Sequence, residues 1–133
     1  MTIIFNDEKL IFCKGTKNAG TSFEIALSKY CDNKDVIGWI EKEDEVLRKK
    51  LGYRSPQNNL YSKAELFKKS KKKFLLSFND KRIKHKFTNH MSLSLIREEL
   101  GIENFNSFKT LAIVRNPYDY VCLLYTSPSP RDL

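Results

Sequence analysis

The chain has 133 residues, 24 Lys and Arg against 16 Asp and Glu, and a formal net charge of +8 at pH 7. This length favours a single domain, and a hydrophobic content of 41% argues against a fully disordered chain. No segment approaches the roughly 20 apolar residues of a membrane-spanning helix. The N-terminal segment lacks a secretory-signal pattern, and the three cysteines lack metal-ligand spacing. We therefore expect a soluble cytoplasmic protein with free thiols, no membrane partner and no metal site.

The first half of the chain predicts a strand, a loop and a helix in succession. Residues 9–13 form an apolar run typical of a buried strand, and the small polar residues 15–22 predict a loop. A helix is predicted over 23–30, with an apolar face formed by Phe23, Ile25, Ala26, Leu27 and Tyr30.

The middle of the chain contains weaker signals. Residues 35–40 are compatible with a second strand, and residues 46–51 predict a short helix that Gly52 ends. Ser62 and Glu65 have the spacing of a capping box, which predicts the start of another helix. Residues 74–78 fit either a strand or the end of a helix.

The last third contains the clearest elements. Residues 90–101 predict a helix with Ser92 as its cap and Gly101 as its stop. Residues 109–115 predict a strand, and Pro117 ends it and can open a helix. Strands that alternate with helices predict an α/β fold, in which helices flank a mainly parallel central sheet.

The loop after the first predicted strand has the composition of a phosphate cradle. Gly15 and Gly20 have the four-residue separation of a nucleotide-binding P-loop, and a helix N-terminus follows them. A P-loop would continue with Lys-Ser or Lys-Thr, whereas this chain continues with Thr21 and Ser22 and carries its lysine inside the loop, at Lys17. A kinase-like nucleotide-binding protein and a simple strand-to-helix turn remain alternatives at this point.

Three segments together resemble a known family. Residues 16–23 resemble the 5′-phosphosulfate loop, Pro-Lys-x-Ala-Gly-Thr-Ser, of sulfotransferases that use 3′-phosphoadenosine 5′-phosphosulfate, with Thr16 in place of the proline. Residues 112–119, which include Arg115-Asn-Pro, resemble the family's 3′-phosphate segment. Residues 89–101 are similar to the helix that precedes that segment in the carbohydrate-type and bacterial branch. The order and spacing of the three segments also agree with the family.

The resemblance implies a function and a set of site residues. It implies a P-loop-like sulfotransferase fold, 3′-phosphoadenosine 5′-phosphosulfate as co-substrate without a metal, and a hydroxyl acceptor, expected to be a carbohydrate. It assigns catalysis to Lys17 and to His90, the latter as general base. The cofactor-binding residues that it implies are Lys17, Asn18, Ala19, Gly20, Thr21, Ser22 and Arg115.

The C-terminal segment has a different character. Residues 122–132 match, residue for residue, one reading frame of a transposase adapter used in DNA library preparation. We therefore expect residues 1–121 to be the N-terminal part of a sulfotransferase domain and residues 122–133 to be a non-native tail. The family has a serine eight residues after the motif arginine, where this chain has Leu123, so we expect the cofactor site to be incomplete and this fragment to be inactive.

The positive charge is concentrated in one segment. Nine basic residues and one acid, Asp80, lie between Lys68 and Lys86. Such a segment suits a polyanion, which leaves a non-enzymatic nucleic-acid-binding module as a further alternative. No nucleic-acid-binding motif accompanies the charge, so we expect no nucleic-acid partner. The same lysines are also compatible with an ordinary solvated surface.

Overall fold

The computed structural model describes residues 2–15, 17, 19–80 and 84–126. The strands are β1 (Thr2–Phe5), β2 (Leu10–Cys13), β3 (Val36–Ile37) and β4 (Lys109–Ala112). The helices are α1 (Gly20–Ser28), α2 (Lys42–Lys50), α3 (Lys63–Lys69), α4 (Lys71–Leu76), α5 (Leu93–Leu100), α6 (Ile102–Asn106) and α7 (Pro117–Thr126). The chain is therefore an α/β protein, as its sequence predicts.

The four strands form a mixed sheet in the order β3-β1-β2-β4. β1 pairs antiparallel with both β2 and β3, and β2 pairs parallel with β4. The sheet in the described residues is therefore mixed and not mainly parallel. The difference arises because residues 2–5 form a strand that the sequence analysis did not predict. A four-residue connection, 6–9, joins this strand to β2, and so short a connection can only join antiparallel neighbours.

Helices cover both faces of the sheet. Successive residues of a strand point to opposite faces, and β1 is buried along its whole length. Ile3 and Phe5 belong to one apolar cluster, whose other buried members are Phe12, Ile25, Cys31, Ile37 and Ile40. Ile4 belongs to the second cluster, with Ile11, Val36, Phe87, Met91, Ile96 and Phe108. Burial on both faces explains the continuous apolar sequence of these strands.

The predicted helix caps and glycine stops agree with the structure. Ser62 and Glu65 form both hydrogen bonds of the capping box at the start of α3, and Ser92 accepts a hydrogen bond from the Leu95 N–H at the start of α5. Gly52 and Gly101 follow α2 and α5 with φ of +72° and +81°. Such left-handed or extended positive-φ backbone favours glycine because it has no Cβ. The segment 74–78, left open by its sequence, contributes to helix α4.

The predicted apolar face of α1 is wrong in part. The helix spans Gly20–Ser28 and not residues 23–30, so residues 20–22 of the predicted loop are helical, and Tyr30 is 71% exposed. Its buried side is formed by Gly20, Glu24, Ile25 and Ser28. The predicted second strand is likewise shorter than expected, since only residues 36–37 pair with β1. A buried glutamate on α1 is the unexpected feature, and its partners lie in the candidate site.

Candidate anion-binding site

Two loops lie side by side at one end of the sheet. β2 and β4 are parallel neighbours, and their last residues, Cys13 and Ala112, are directly paired. Ligands of α/β proteins characteristically bind beyond the carboxyl ends of parallel strands. The segments that follow these ends are residues 14–19 and 113–116, here called the carboxyl-end loops. One contains Lys17 and the other Arg115, although the two residues are 98 positions apart in the sequence.

The first carboxyl-end loop leads into α1 with an unusual backbone. Lys17 and Ala19 have φ of +52° and +58°, in the left-handed region that residues with a Cβ rarely adopt. Ala19 is also the N-cap of α1 and provides no side-chain hydrogen bond to the helix. Alanine is a poor N-cap because its side chain cannot accept from the first N–H groups. An anion bound at this end of α1 would accept hydrogen bonds from those N–H groups. It would thereby offset the free-energy cost of the missing cap and the left-handed backbone.

The structure places the remaining predicted cofactor residues around this turn. Gly20 is the buried first residue of α1, Thr21 is half-buried and Ser22 is exposed. Lys17 is half-buried. Asn18 and the neighbouring Thr16 lie outside the described residues. The described part of the predicted loop therefore occupies one helix N-terminus.

A buried ion pair lies directly behind the loop. The Lys14 ammonium donates a 2.6 Å hydrogen bond to Thr21 Oγ1 and lies 3.5 Å from Glu24 Oε2. Only 7% of the Lys14 side chain and none of the Glu24 side chain is exposed. The ion pair is long, and among the described residues neither Glu24 oxygen has a hydrogen bond of normal geometry. Lys14 thus joins the end of β2 to the first turn of α1.

Burial dominates the electrostatics of Glu24. It raises the pKa of this carboxyl to about 7, against the opposing effect of the positive charges of Lys14 and Arg48. Arg48 on α2 is itself fully buried, forms an ion pair with Glu45 and donates to the Gly38 carbonyl at 3.4 Å. The side chains packed behind the loop before α1 therefore include buried basic groups, Lys14 and Arg48, and a buried acidic group, Glu24.

The second carboxyl-end loop ends in a capped helix. Asn116 Oδ1 accepts a 2.9 Å hydrogen bond from the Tyr118 N–H, and Pro117 begins α7 as predicted. Arg115, just before this cap, is exposed. A guanidinium in this position can present its planar donors to a phosphate group. Helix α7 continues through Thr126, and residues 127–133 of the predicted tail lie outside the described residues.

His90 lies in a turn before α5. It is exposed and has a φ of +56°. The neighbouring Met91 is buried, and its carbonyl accepts from the Cys13 thiol at 3.6 Å. The turn that contains His90 thus packs beside the end of β2. The other histidine, His85, is half-buried and forms a T-shaped contact with Trp39, with ring centroids 6.2 Å apart.

Two of the three cysteines, Cys13 and Cys31, are held as protonated thiols. All three are free thiols, as predicted. Burial raises the pKa of Cys13, and it raises that of Cys31 to about 12, so both remain protonated near neutral pH. In the described part of the chain, no group of three or more His, Cys, Asp or Glu residues is arranged to hold a metal ion. No helix within those residues is both long and apolar enough to cross a membrane.

Comparisons of this chain with family models, with curated proteins and with solved structures found no match. The features of this chain that bear on function are the geometry of the carboxyl-end loops and the residues that they carry.

The sequence analysis missed Lys14 and Glu24 as members of the site. Lys14 directly follows the predicted strand 9–13, and Glu24 lies between apolar residues of the predicted helix. One signal was present in the sequence: a lysine directly after a buried strand and a glutamate between apolar residues of the next helix. That pattern predicts an ion pair between Lys14 and Glu24 only if the loop between them folds so that the helix packs against the end of the strand.

Proposed function

We propose that this chain is part of a sulfotransferase. The enzyme would move a sulfuryl group from 3′-phosphoadenosine 5′-phosphosulfate to a hydroxyl acceptor, a carbohydrate in particular. The observation that carries the proposal is the parallel pairing of β2 with β4. It brings the loop with Lys17 and the loop with Arg115 to the same end of the sheet. A nucleotide with phosphates at both the 5′ and 3′ positions needs two separate cationic sites, and these two loops could supply them.

The 5′ side of the co-substrate would bind the loop before α1. The first N–H groups of that helix have no side-chain cap from Ala19, and the helix dipole favours an anion there. Lys17 would neutralise the negative charge that grows on the bridging oxygen as the sulfur–oxygen bond breaks. Arg115 would bind the 3′-phosphate through charge-assisted hydrogen bonds. In this proposal the chain forms part of a P-loop-like fold.

His90 is the proposed general base. The acceptor hydroxyl would attack the sulfur atom and form a new oxygen–sulfur bond, while the bond from sulfur to the 5′-phosphate oxygen breaks. The hydroxyl proton would pass to the His90 imidazole. The bisphosphate nucleotide would leave with the electron pair of the broken sulfur–oxygen bond on its 5′-phosphate oxygen. The packing of Met91 against Cys13 supports this role, because it holds the His90 turn beside β2.

Residue-resolved binding to the 133-residue chain tests the proposal, because both proposed phosphate loops are present in it even though a complete cofactor site and turnover are not expected. We expect adenosine 3′,5′-bisphosphate to shift the amide NMR signals of Gly20, Thr21 and Ser22, and ATP and duplex DNA to bind more weakly. The Lys17→Ala variant should lose about ten- to a hundredfold in affinity, the effect of removing one charge-assisted hydrogen bond. Tighter binding of ATP would favour a kinase-like protein instead, and tighter binding of DNA would favour a basic nucleic-acid module.

A further inference from the structure

We propose that Lys14 is a positioning residue that acts through Thr21, by directing the Thr21 hydroxyl proton toward the 5′-phosphate of the bound nucleotide. This inference rests on the proposed function and adds a residue that the sequence resemblance does not assign. Its basis is the cluster of Lys14, Thr21 and Glu24 behind the loop, in which one ammonium group contacts both a hydroxyl and a carboxylate.

The direction of the hydrogen bond follows from the chemistry of the two groups. A lysine ammonium has three donors and no acceptor, so in the 2.6 Å contact Thr21 Oγ1 must be the acceptor. The hydroxyl proton of Thr21 then cannot point toward Lys14. It is left to donate to a second acceptor, and Thr21 lies in the first turn of α1, where the proposed anion site is. Without Lys14 the hydroxyl could rotate and accept instead.

Glu24 explains why the ammonium stays in place. It is fully buried on the same side of α1, one helical turn after Thr21, and its Oε2 is 3.5 Å from the Lys14 Nζ. Burying a lysine and a glutamate is costly, so the buried pair is weak evidence of a stabilising role. Here the pair holds a lysine that contacts the loop helix from behind.

The expected effect is specific for one half of the nucleotide. Adenosine 3′,5′-bisphosphate has the 5′-phosphate that Thr21 would contact, whereas adenosine 3′-monophosphate lacks it and depends on the Arg115 side. The Lys14→Met variant keeps the length and apolar stem of the side chain and removes its donors. We expect it to weaken binding of the bisphosphate about tenfold, the effect of one misdirected hydrogen bond. Its affinity for the monophosphate should stay within about twofold of the original.

A double-mutant cycle separates positioning from direct contact. Thr21→Val should weaken bisphosphate binding to a similar extent, and adding Lys14→Met to it should cause no further loss. If Lys14→Met still has its full effect in the Thr21→Val background, Lys14 acts on the ligand directly and the inference is wrong. An equal loss for both nucleotides would show a merely structural role and also overturn it. Should Lys14→Met fail to fold, the charge-neutral pair Lys14→Met with Glu24→Gln takes its place.

The same titrations distinguish this inference from the proposed function. If the unmodified chain binds neither nucleotide at the carboxyl-end loops, the sulfotransferase proposal fails and the positioning role fails with it. If the unmodified chain binds the bisphosphate there but Lys14→Met binds it equally well, only the positioning role is overturned.

Discussion

The molecule presents positive charge in two contrasting ways. In the helix pair α3–α4, lysines are dense along the sequence, and Lys68, Lys71, Lys72 and Lys73 are all exposed. Behind the loop before α1 the important lysine is isolated in sequence, and only 7% of the Lys14 side chain is exposed. The first region dominates the net charge of the chain, whereas the second places charge beside an uncapped helix N-terminus.

The difference teaches that charge density and a built anion site are separate properties. Several lysines in or near the helix pair already have partners within the fold: Lys69 forms an ion pair with Glu99, Lys86 forms one with Glu65, and Lys71 lies 5.8 Å from the centre of the Phe67 ring. Exposed ion pairs of this kind contribute little and are screened by salt. The carboxyl-end loops are therefore the better candidate for a specific ligand.

The largest expected effect is on the pH dependence of stability, through Glu24. Its pKa is raised from 4.5 to about 7 by burial, so the folded state retains a proton that the unfolded state loses above pH 4.5. Stability should therefore fall as pH rises from 4.5 through 7, by about 3 kcal/mol in total. Glu24→Gln has no such proton and should lack this loss. Urea unfolding of both proteins between pH 4 and pH 9 measures it.

Glu65, in the helix pair, supplies the control for this prediction. The hydrogen bond from Lys86 is the main cause that lowers its pKa to about 2, so its contribution is present above pH 4.5 and is lost as pH falls toward 2. Glu65→Gln should lower stability above pH 4.5 and remove the loss between pH 4.5 and pH 2, which urea unfolding extended down to pH 2 measures. It should leave the fall in stability between pH 4.5 and pH 7 unchanged. If Glu24→Gln retained the loss between pH 4.5 and pH 8, the carboxylate would not be buried as described.

The next largest expected effect is on nucleotide affinity, and it contrasts Arg115 in a carboxyl-end loop with Lys72 in the helix pair α3–α4. Arg115→Ala should weaken binding of adenosine 3′,5′-bisphosphate about ten- to a hundredfold, or roughly 2 kcal/mol, because it removes charge-assisted hydrogen bonds to the 3′-phosphate. Lys72→Ala removes the same formal charge from α4 and should change the affinity less than about twofold. NMR titration of both variants measures the contrast. Equal losses would mean that overall charge, and not the β2–β4 geometry, governs binding.

The sequence predicted the elements whose signals are local. The apolar run of β2 and the caps of α3 and α5 depend on neighbours within a few positions, and the structure confirms them. Strand β1 was missed because it has only three consecutive apolar residues, Ile3, Ile4 and Phe5, with no alternation to mark a strand. Because β1 was not predicted, its antiparallel pairing with β2 and β3 was not predicted either.

The missing part of the candidate site depends on contacts between distant residues. Glu24 lies among apolar residues of α1, and only the turn of the loop brings Lys14 near it. The left-handed backbone of Ala19 and His90 has no glycine or asparagine to signal it. The partners of Lys69 and Lys86 are 30 and 21 residues away in the sequence. The sequence alone therefore cannot distinguish lysines that form ion pairs within the fold from lysines that do not.

The smallest effect tests whether the helix pair is independent of the site. Ser62→Ala removes the Ser62 Oγ that accepts from the Glu65 N–H at 3.2 Å, and it should cost about 1 kcal/mol of unfolding free energy, as for other N-caps. Ser92→Ala removes a cap bond of 3.4 Å from α5 and serves as the matched control. Neither variant should change bisphosphate affinity. A clear loss of affinity in Ser62→Ala alone would mean that α3 and the carboxyl-end loops are coupled, and the lysines of the helix pair would then have to be counted with the site.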